Sequence, residues 1–176
     1  MREGVPEAVS KEGKVYKYDI SVPIAAFKEV VDMTKEQLRR KGLLHDGAVR
    51  HVLGYGHIGD GEHLCSRHLP LIVYPHPLAG NLHVNIAVAA YTPEIESALE
   101  PFLYELVGES LDPTKATQAN ALLASHKGSI SAEHGIGAMK PHAVHYSKSR
   151  VAIDMMRRIK QVFDPRCIMN PGKVLE

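Results

Sequence analysis

The chain contains only two cysteines, Cys65 and Cys167, far apart and without paired spacing. That argues against a disulfide framework or a thiolate zinc site and points to a reducing compartment. No apolar run approaches the roughly 20 residues a bilayer-spanning helix needs, so no membrane span is expected. The opening Met1-Arg2-Glu3-Gly4-Val5-Pro6 is neither a signal peptide nor an Arg/Ser-rich transit peptide, so a targeting signal is not expected within this chain. Neither charge dominates: the formal net charge is +1 and the Lys and Arg are scattered, which leaves no electrostatic footprint for nucleic acid. There is no GxGxxG and no Walker sequence, so a nucleotide cofactor would have to be held mainly by something else.

What is present suits one folded α+β domain of 176 residues, 44% hydrophobic. From Val15 to Val22 the residues alternate, with Tyr16, Tyr18, Ile20 and Val22 on one face and Lys17, Asp19 and Ser21 on the other, as in a strand. Pro23 opens a helix whose stripe is Ile24, Phe27, Val30, Val31 and Leu38 and which closes at Arg39-Arg40-Lys41 before Gly42. Asn81 to Val88 is a second alternating strand, with Asn81, His83 and Asn85 on its polar face. Thr92-Pro93 starts a helix carrying Ile95, Leu99, Phe102, Leu103 and Leu106, kinked at Pro101. Residues 108–125 are polar and poorly patterned and read as an extended loop or a loose helix extension. A last helix, Ser149 to Phe163, puts Val151, Met155, Ile159 and Val162 on one side, where Met155 and Met156 would fill core. Few parallel-sheet signals accompany these elements, so an antiparallel sheet covered by helices is expected, followed by a C-terminal helical segment.

Chemistry concentrates in two glycine-rich segments, Gly54-Tyr-Gly-His57-Ile-Gly-Asp-Gly61 and Gly128-Ser-Ile-Ser-Ala-Glu133-His134-Gly-Ile-Gly137, with Asn81-Leu-His83-Val-Asn85. Together they offer two imidazoles and a carboxylate as metal ligands and a further histidine for proton transfer. Such a set leaves coordination positions open, which suits a catalytic metal: zinc first, with iron(II) chemically possible. The glycines would let backbone and substrate approach closely. A single Gly-His turn carries little information; the ensemble carries more.

These strings, with Val15-Tyr-Lys-Tyr-Asp19 and Phe163-Asp-Pro-Arg-Cys-Ile-Met-Asn-Pro-Gly-Lys173, resemble in order the C-terminal part of the D-2-hydroxyglutarate dehydrogenases. That family belongs to the vanillyl-alcohol-oxidase type of FAD flavoproteins, alongside D-lactate dehydrogenases. The resemblance implies a ferredoxin-like cap domain over residues 1–176, incomplete at its N-terminus and lacking the FAD-binding domain. It implies a divalent metal, Zn2+ or another, held by His57, His83 and Glu133, with His134 as general base. Arg2, Lys17 and Asn85 would bind the 2-hydroxy acid, and Asn170 and Lys173 would lie near the FAD. It further implies hydride transfer to flavin, an electron-acceptor protein or quinone-linked flavoprotein as partner, a homodimer at full length, a mitochondrial matrix location, and inactivity of this fragment alone. D-lactate dehydrogenase is the rival reading within the family; a non-catalytic metal-binding module is the rival outside it.

Three departures stand out, one being residues 108–125, longer than the family's usual connection there. The family reads Gly-Asp-Gly-Asn-Leu-His without a break, whereas Glu62 to Gly80 separates Gly61 from Asn81 here. Its composition and boundary residues suit a translated short intron better than a genuine loop insertion whose His63, His68 and His76 would be extra ligands. Close relatives also carry threonine where this chain has Pro6, which removes one hydrogen bond to substrate.

Overall fold

In the computed structural model, residues 4–45, 47–58, 79–107 and 128–175 are described, apart from the side chains of Pro6, Ala25, His57, Ile58 and Ala79. Three strands, β1 (Lys14–Pro23), β2 (Val49–Ile58) and β3 (Ala79–Val88), form an antiparallel sheet in the order β1-β3-β2. Helix α1 (Gly4–Lys11) precedes β1, and α2 (Phe27–Arg40) links β1 to β2. The two outer strands thus run the same way on either side of β3, a split β-α-β unit followed by a hairpin return. The α+β antiparallel architecture matches the expectation; β2 and α1 were not anticipated. The interruption at Glu62 to Gly80 lies outside the described residues except for its last two, which begin β3, and the 108–125 segment lies outside them altogether.

Alternation makes the sheet two-faced. Tyr18, Ile20, Val22, Leu82, Val84, Ile86, Val88 and Val52 are buried in the main core, on the face that α2 covers with Val30 and Leu38. Gly54 and Gly56 also belong to this face: a Cβ on Gly54 would strike Val31, and one on Gly56 would strike Phe27 and the carbonyl of Asn81. These two glycines therefore make room for a helix, not for a ligand, which corrects the sequence reading. The opposite face carries the polar rows, and at its far end α1 lays Val9 against Val15 and Ala87.

After β3, Thr92 caps helix α3 (Pro93–Leu99) by accepting from Ile95 N at 3.3 Å. Pro101 stops the helix outright, and α4 (Phe102–Val107) starts anew. The expected kink is thus a break between two helices, because proline lacks the N–H and its ring clashes with the preceding turn. At this corner one half-buried carboxylate ties three elements together: Glu100 Oε1 accepts from Tyr18 OH at 3.0 Å and Tyr104 OH at 2.8 Å. Burial, reinforced by that carboxylate, holds both phenols protonated well above their ordinary range. Lys140 lies 5.9 and 5.6 Å from the centroids of the same two rings and donates to Ile130 O at 2.9 Å. Burial pulls its pKa below the lysine norm.

Helix α5 (Arg150–Phe163) is capped by Ser149, whose Oγ accepts from Ala152 N. Its periodicity is as expected, but the stripe is not core: Val151, Met155, Ile159 and Val162 are exposed, Met155 by 58%, and only Ile153 is buried. Among the described residues nothing covers that side, so Met155 fills no gap here. Beyond α5, Asp164 gathers the chain end. Its Oδ2 accepts from Lys160 Nζ at 2.7 Å and Met169 N at 3.0 Å, and its Oδ1 accepts from Ile168 N at 2.9 Å. The Lys160 bond and the two amides hold this carboxyl below the usual range. A depressed acid stabilises the fold above its unfolded pKa, and that contribution is lost as pH falls through the folded value. Protection of the Ile168 and Met169 amides, taken relative to their intrinsic exchange rates, should therefore be high near neutrality and fall below about pH 4. Asp164→Ala should show the low protection already at neutral pH.

Candidate active site

Register places the polar residues in rows across the sheet. Lys17, Asn85 and Leu53 are paired in one row; Asp19, His83 and Tyr55 in the next; Ser21, Asn81 and residue 57 in the third. Successive rows are two residues apart, so all of them share one face.

The second glycine-rich segment reaches this face from the outer edge of β1. Ser21 N donates to Ser129 O at 2.8 Å and Ser129 N to Ser21 O at 3.0 Å, an isolated antiparallel bridge. Gly128 permits it: a Cβ there would lie 2.6 Å from Ser21 O and 2.7 Å from both the carbonyl and Cγ1 of Val107. From the bridge the chain buries Ile130, turns at Ser131, and presents Glu133 and His134 to the sheet. Both of their backbone N–H groups donate to Asp19 Oδ2, at 2.9 and 3.0 Å.

The result is a cluster of Asp19, His83, Glu133 and His134, with one potential ligand atom from each within 4.8 Å of the others. Nε2 of His83 is 3.3 Å from Oε1 of Glu133, and Nδ1 of His83 is 3.2 Å from Oδ1 of Asp19. Two ligands at ~2.1 Å from a tetrahedral cation stand about 3.4 Å apart. The His83–Glu133 pair therefore has the spacing one zinc-like ion requires. His134 is mostly exposed, its Nε2 4.0 Å from Asp19 Oδ2 and its ring 6.0 Å from that of His83. Tyr55 packs against the other side of the His83 ring at 5.2 Å.

Three buried groups on this face have polar atoms with no hydrogen-bond partner among the described residues: Asp19 Oδ1, Asn85 Nδ2, and both side-chain atoms of Asn81. Buried polar atoms are ordinarily satisfied, so their gathering on a single face makes that face the candidate site.

Of the residues expected from sequence, His83, Glu133 and His134 come together, and Lys17 and Asn85 occupy the adjacent row. His57 contributes its backbone opposite Asn81, two residues before His83, while its side chain lies outside the described atoms. Arg2 lies outside the described residues. Asn170 and Lys173 are exposed, 3.5 Å apart between Oδ1 and Nζ. Val174 N donates to Gly137 O at 2.7 Å, which ties that tail to the Glu133-His134 segment. Asp19 and Asn81 were missed as site residues. Their strand faces were legible, but only the pairing register brings Asp19 to His83.

No described helix is long and apolar enough to cross a membrane. Compared with known proteins, residues 1–174 match the family of FAD linked oxidases, C-terminal domain. The chain is 36% identical over 175 residues to a mitochondrial D-2-hydroxyglutarate dehydrogenase of Arabidopsis thaliana, with 99% of this chain and 24% of that protein covered. It is 38% identical over 176 residues to a D-2-hydroxyglutarate–pyruvate transhydrogenase of Saccharomyces cerevisiae, covering 99% and 28% respectively. It is 39% identical to a Schizosaccharomyces pombe protein named provisionally as a mitochondrial D-lactate dehydrogenase, covering 98% and 27%. The chain thus spans about a quarter of the length of the curated relatives it matches.

Proposed function

The chain belongs to the family of FAD-linked oxidase C-terminal domains, and from that premise we propose that it is the substrate- and metal-holding part of a D-2-hydroxy-acid dehydrogenase. D-2-hydroxyglutarate is the substrate, oxidised to 2-oxoglutarate, and the working protein is mitochondrial, as its relatives are named. The observation that carries this reading is the His83–Glu133 pair at metal-ligand spacing beside an exposed histidine.

Once bound, the divalent metal supplies a Lewis acid at the 2-hydroxyl and the flavin a two-electron acceptor for the hydride leaving C2. His83 and Glu133 are two ligands and His57 is the third, in keeping with its position opposite Asn81. His134 takes the hydroxyl proton on its imidazole; its backbone bond to Asp19 fixes the base while its ring remains open to solvent for handing the proton on. Asn85 has a buried Nδ2 free to donate to a substrate carboxylate, and exposed Lys17, paired with it across the sheet, supplies a point charge. Arg2 completes the anchoring, and Asn170 and Lys173 face the flavin. Glu62 to Gly80 is an insertion that the hairpin does not need, since the pairing of His57 with Asn81 is compatible with closure by residues 58–61 alone. The FAD itself is held mainly outside this domain, and electrons leave through a partner protein.

The relative named for D-lactate favours a second reading, a monocarboxylate substrate. In a protein uniting this chain with a flavin-holding domain, Lys17→Met should raise KM for D-2-hydroxyglutarate about 10- to 100-fold, the worth of one charged hydrogen bond, and leave D-lactate turnover unchanged. Steady-state kinetics with both acids decides it: equal losses on the two, or none on 2-hydroxyglutarate, would sink the dicarboxylate assignment.

A further inference from the structure

Asp19 is almost fully buried, 3% exposed, in the middle of β1. It is joined to two different parts of the site by its two oxygens. Oδ2 takes the backbone N–H groups of Glu133 and His134. Oδ1 has no full hydrogen bond, yet stands 3.2 Å from Nδ1 of His83. The opposite ring nitrogen, Nε2, faces Glu133. A buried carboxylate oxygen needs a donor, and Nδ1 is the donor within reach of this one.

We propose that Asp19 is a positioning residue: it keeps the His83 proton on Nδ1, so that the Nε2 lone pair faces Glu133, and it fixes the Glu133-His134 turn through the two amides. This deepens the reading of the site as a metal centre and rests on it. The physical basis is that an imidazole has one proton to place. Carboxylates face both nitrogens, but Asp19 is buried and needs a donor while Glu133 is 44% exposed and can be met by solvent or a cation, so the proton stays on Nδ1 and Nε2 becomes the ligand atom. Strand position 19 thus couples the ring to the turn.

Asp19→Asn separates the two tasks. Its side-chain oxygen still accepts from Glu133 N and His134 N, while its NH2 group faces Nδ1 and drives the ring proton to Nε2, occupying the ligand atom. The test uses the 176-residue chain, labelled with 15N and free of metal, at about pH 8, above the ordinary histidine range. Histidine ring nitrogen spectra give the tautomer, a titration with Zn2+ alone gives affinity, and a thermal melt gives the fold. The expected results are an Nδ1–H tautomer for His83 in the parent and an Nε2–H tautomer in Asp19→Asn. Zinc affinity should fall about 10- to 100-fold in the variant, with its melting midpoint nearly unchanged. Asp19→Ala, which loses the amide anchors as well, should also melt lower. An Nε2–H tautomer in the parent overturns the proposal even if every variant fails to fold. So does an Asp19→Asn chain that keeps the Nδ1–H tautomer and binds zinc within twofold of the parent. If the parent shows the Nδ1–H tautomer held by Asp19 but binds no zinc, the metal reading fails while the positioning role stands.

Discussion

Replacing Gly128 with alanine should lower the melting midpoint by roughly 6–12 °C and weaken zinc binding in the same variant. The methyl group would enter a space bounded by two backbone carbonyls, those of Ser21 and Val107, and by the Val107 side chain, at 2.6 to 2.7 Å. Backbone cannot swing aside as a flexible side chain can, so either β1 or the turn must move. Overpacking of this kind costs about 3 kcal/mol, which at this chain length corresponds to the stated shift. The movement breaks the Ser21–Ser129 bridge first, and that bridge, with the two amide bonds to Asp19, holds the Glu133-His134 turn against the sheet. Calorimetry and a zinc titration on the same sample check both halves. Gly4→Ala is the control, since a Cβ there meets nothing within 4 Å; it should leave both measurements unchanged.

The second large effect is expected at His83. His83→Ala should reduce zinc affinity by more than the 10- to 100-fold typical of residues that merely support a ligand, because in the proposed site it removes a ligand atom. His134→Ala should change zinc affinity only a few-fold and instead abolish turnover when the domain is joined to its flavin-holding part. Competitive titration with a chromophoric chelator measures the first, and single-turnover flavin reduction the second. Loss of zinc in the His134 variant equal to that in the His83 variant would make His134 a ligand and leave the base unassigned.

Much of this fold was legible because period and polarity agree. β1 and β3 alternate cleanly, and Tyr18, Ile20, Val22, Leu82, Val84, Ile86 and Val88 of the expected apolar face are buried, but so are Asp19, Asn81 and Asn85 of the polar face. Of the expected stripe of α2, Val30 and Leu38 are buried, Phe27 and Val31 are half-buried, Ile24 falls in a short turn before the helix, and Thr34 is buried without having been expected. β2 was hidden because Gly54 and Gly56 read as turn chemistry, and their actual purpose, clearance for Val31 and Phe27, exists only once α2 has been laid on the sheet. For α5 the period was right and the partner wrong: periodicity says which side is apolar but not what covers it. At the site, sequence motifs supplied His83, Glu133 and His134, but not Asp19. A strand carboxylate acquires its meaning from register, and register between Asp19 and His83, 64 positions apart, has no local signature.

The buried corner at Glu100 also equips the chain with its own optical probe. There is no tryptophan, so near-ultraviolet absorption and emission come from seven tyrosines. Two of them, Tyr18 and Tyr104, flank one carboxylate beneath Lys140, the residue that grips Ile130 at the root of the Glu133-His134 turn. In the folded state both phenols keep their protons above the usual tyrosine range, whereas the unfolded chain ionises near pH 10. The fold therefore loses stability as alkalinity rises past that point, and the delayed growth of tyrosinate absorbance in those two rings reports, without any label, whether the turn is docked.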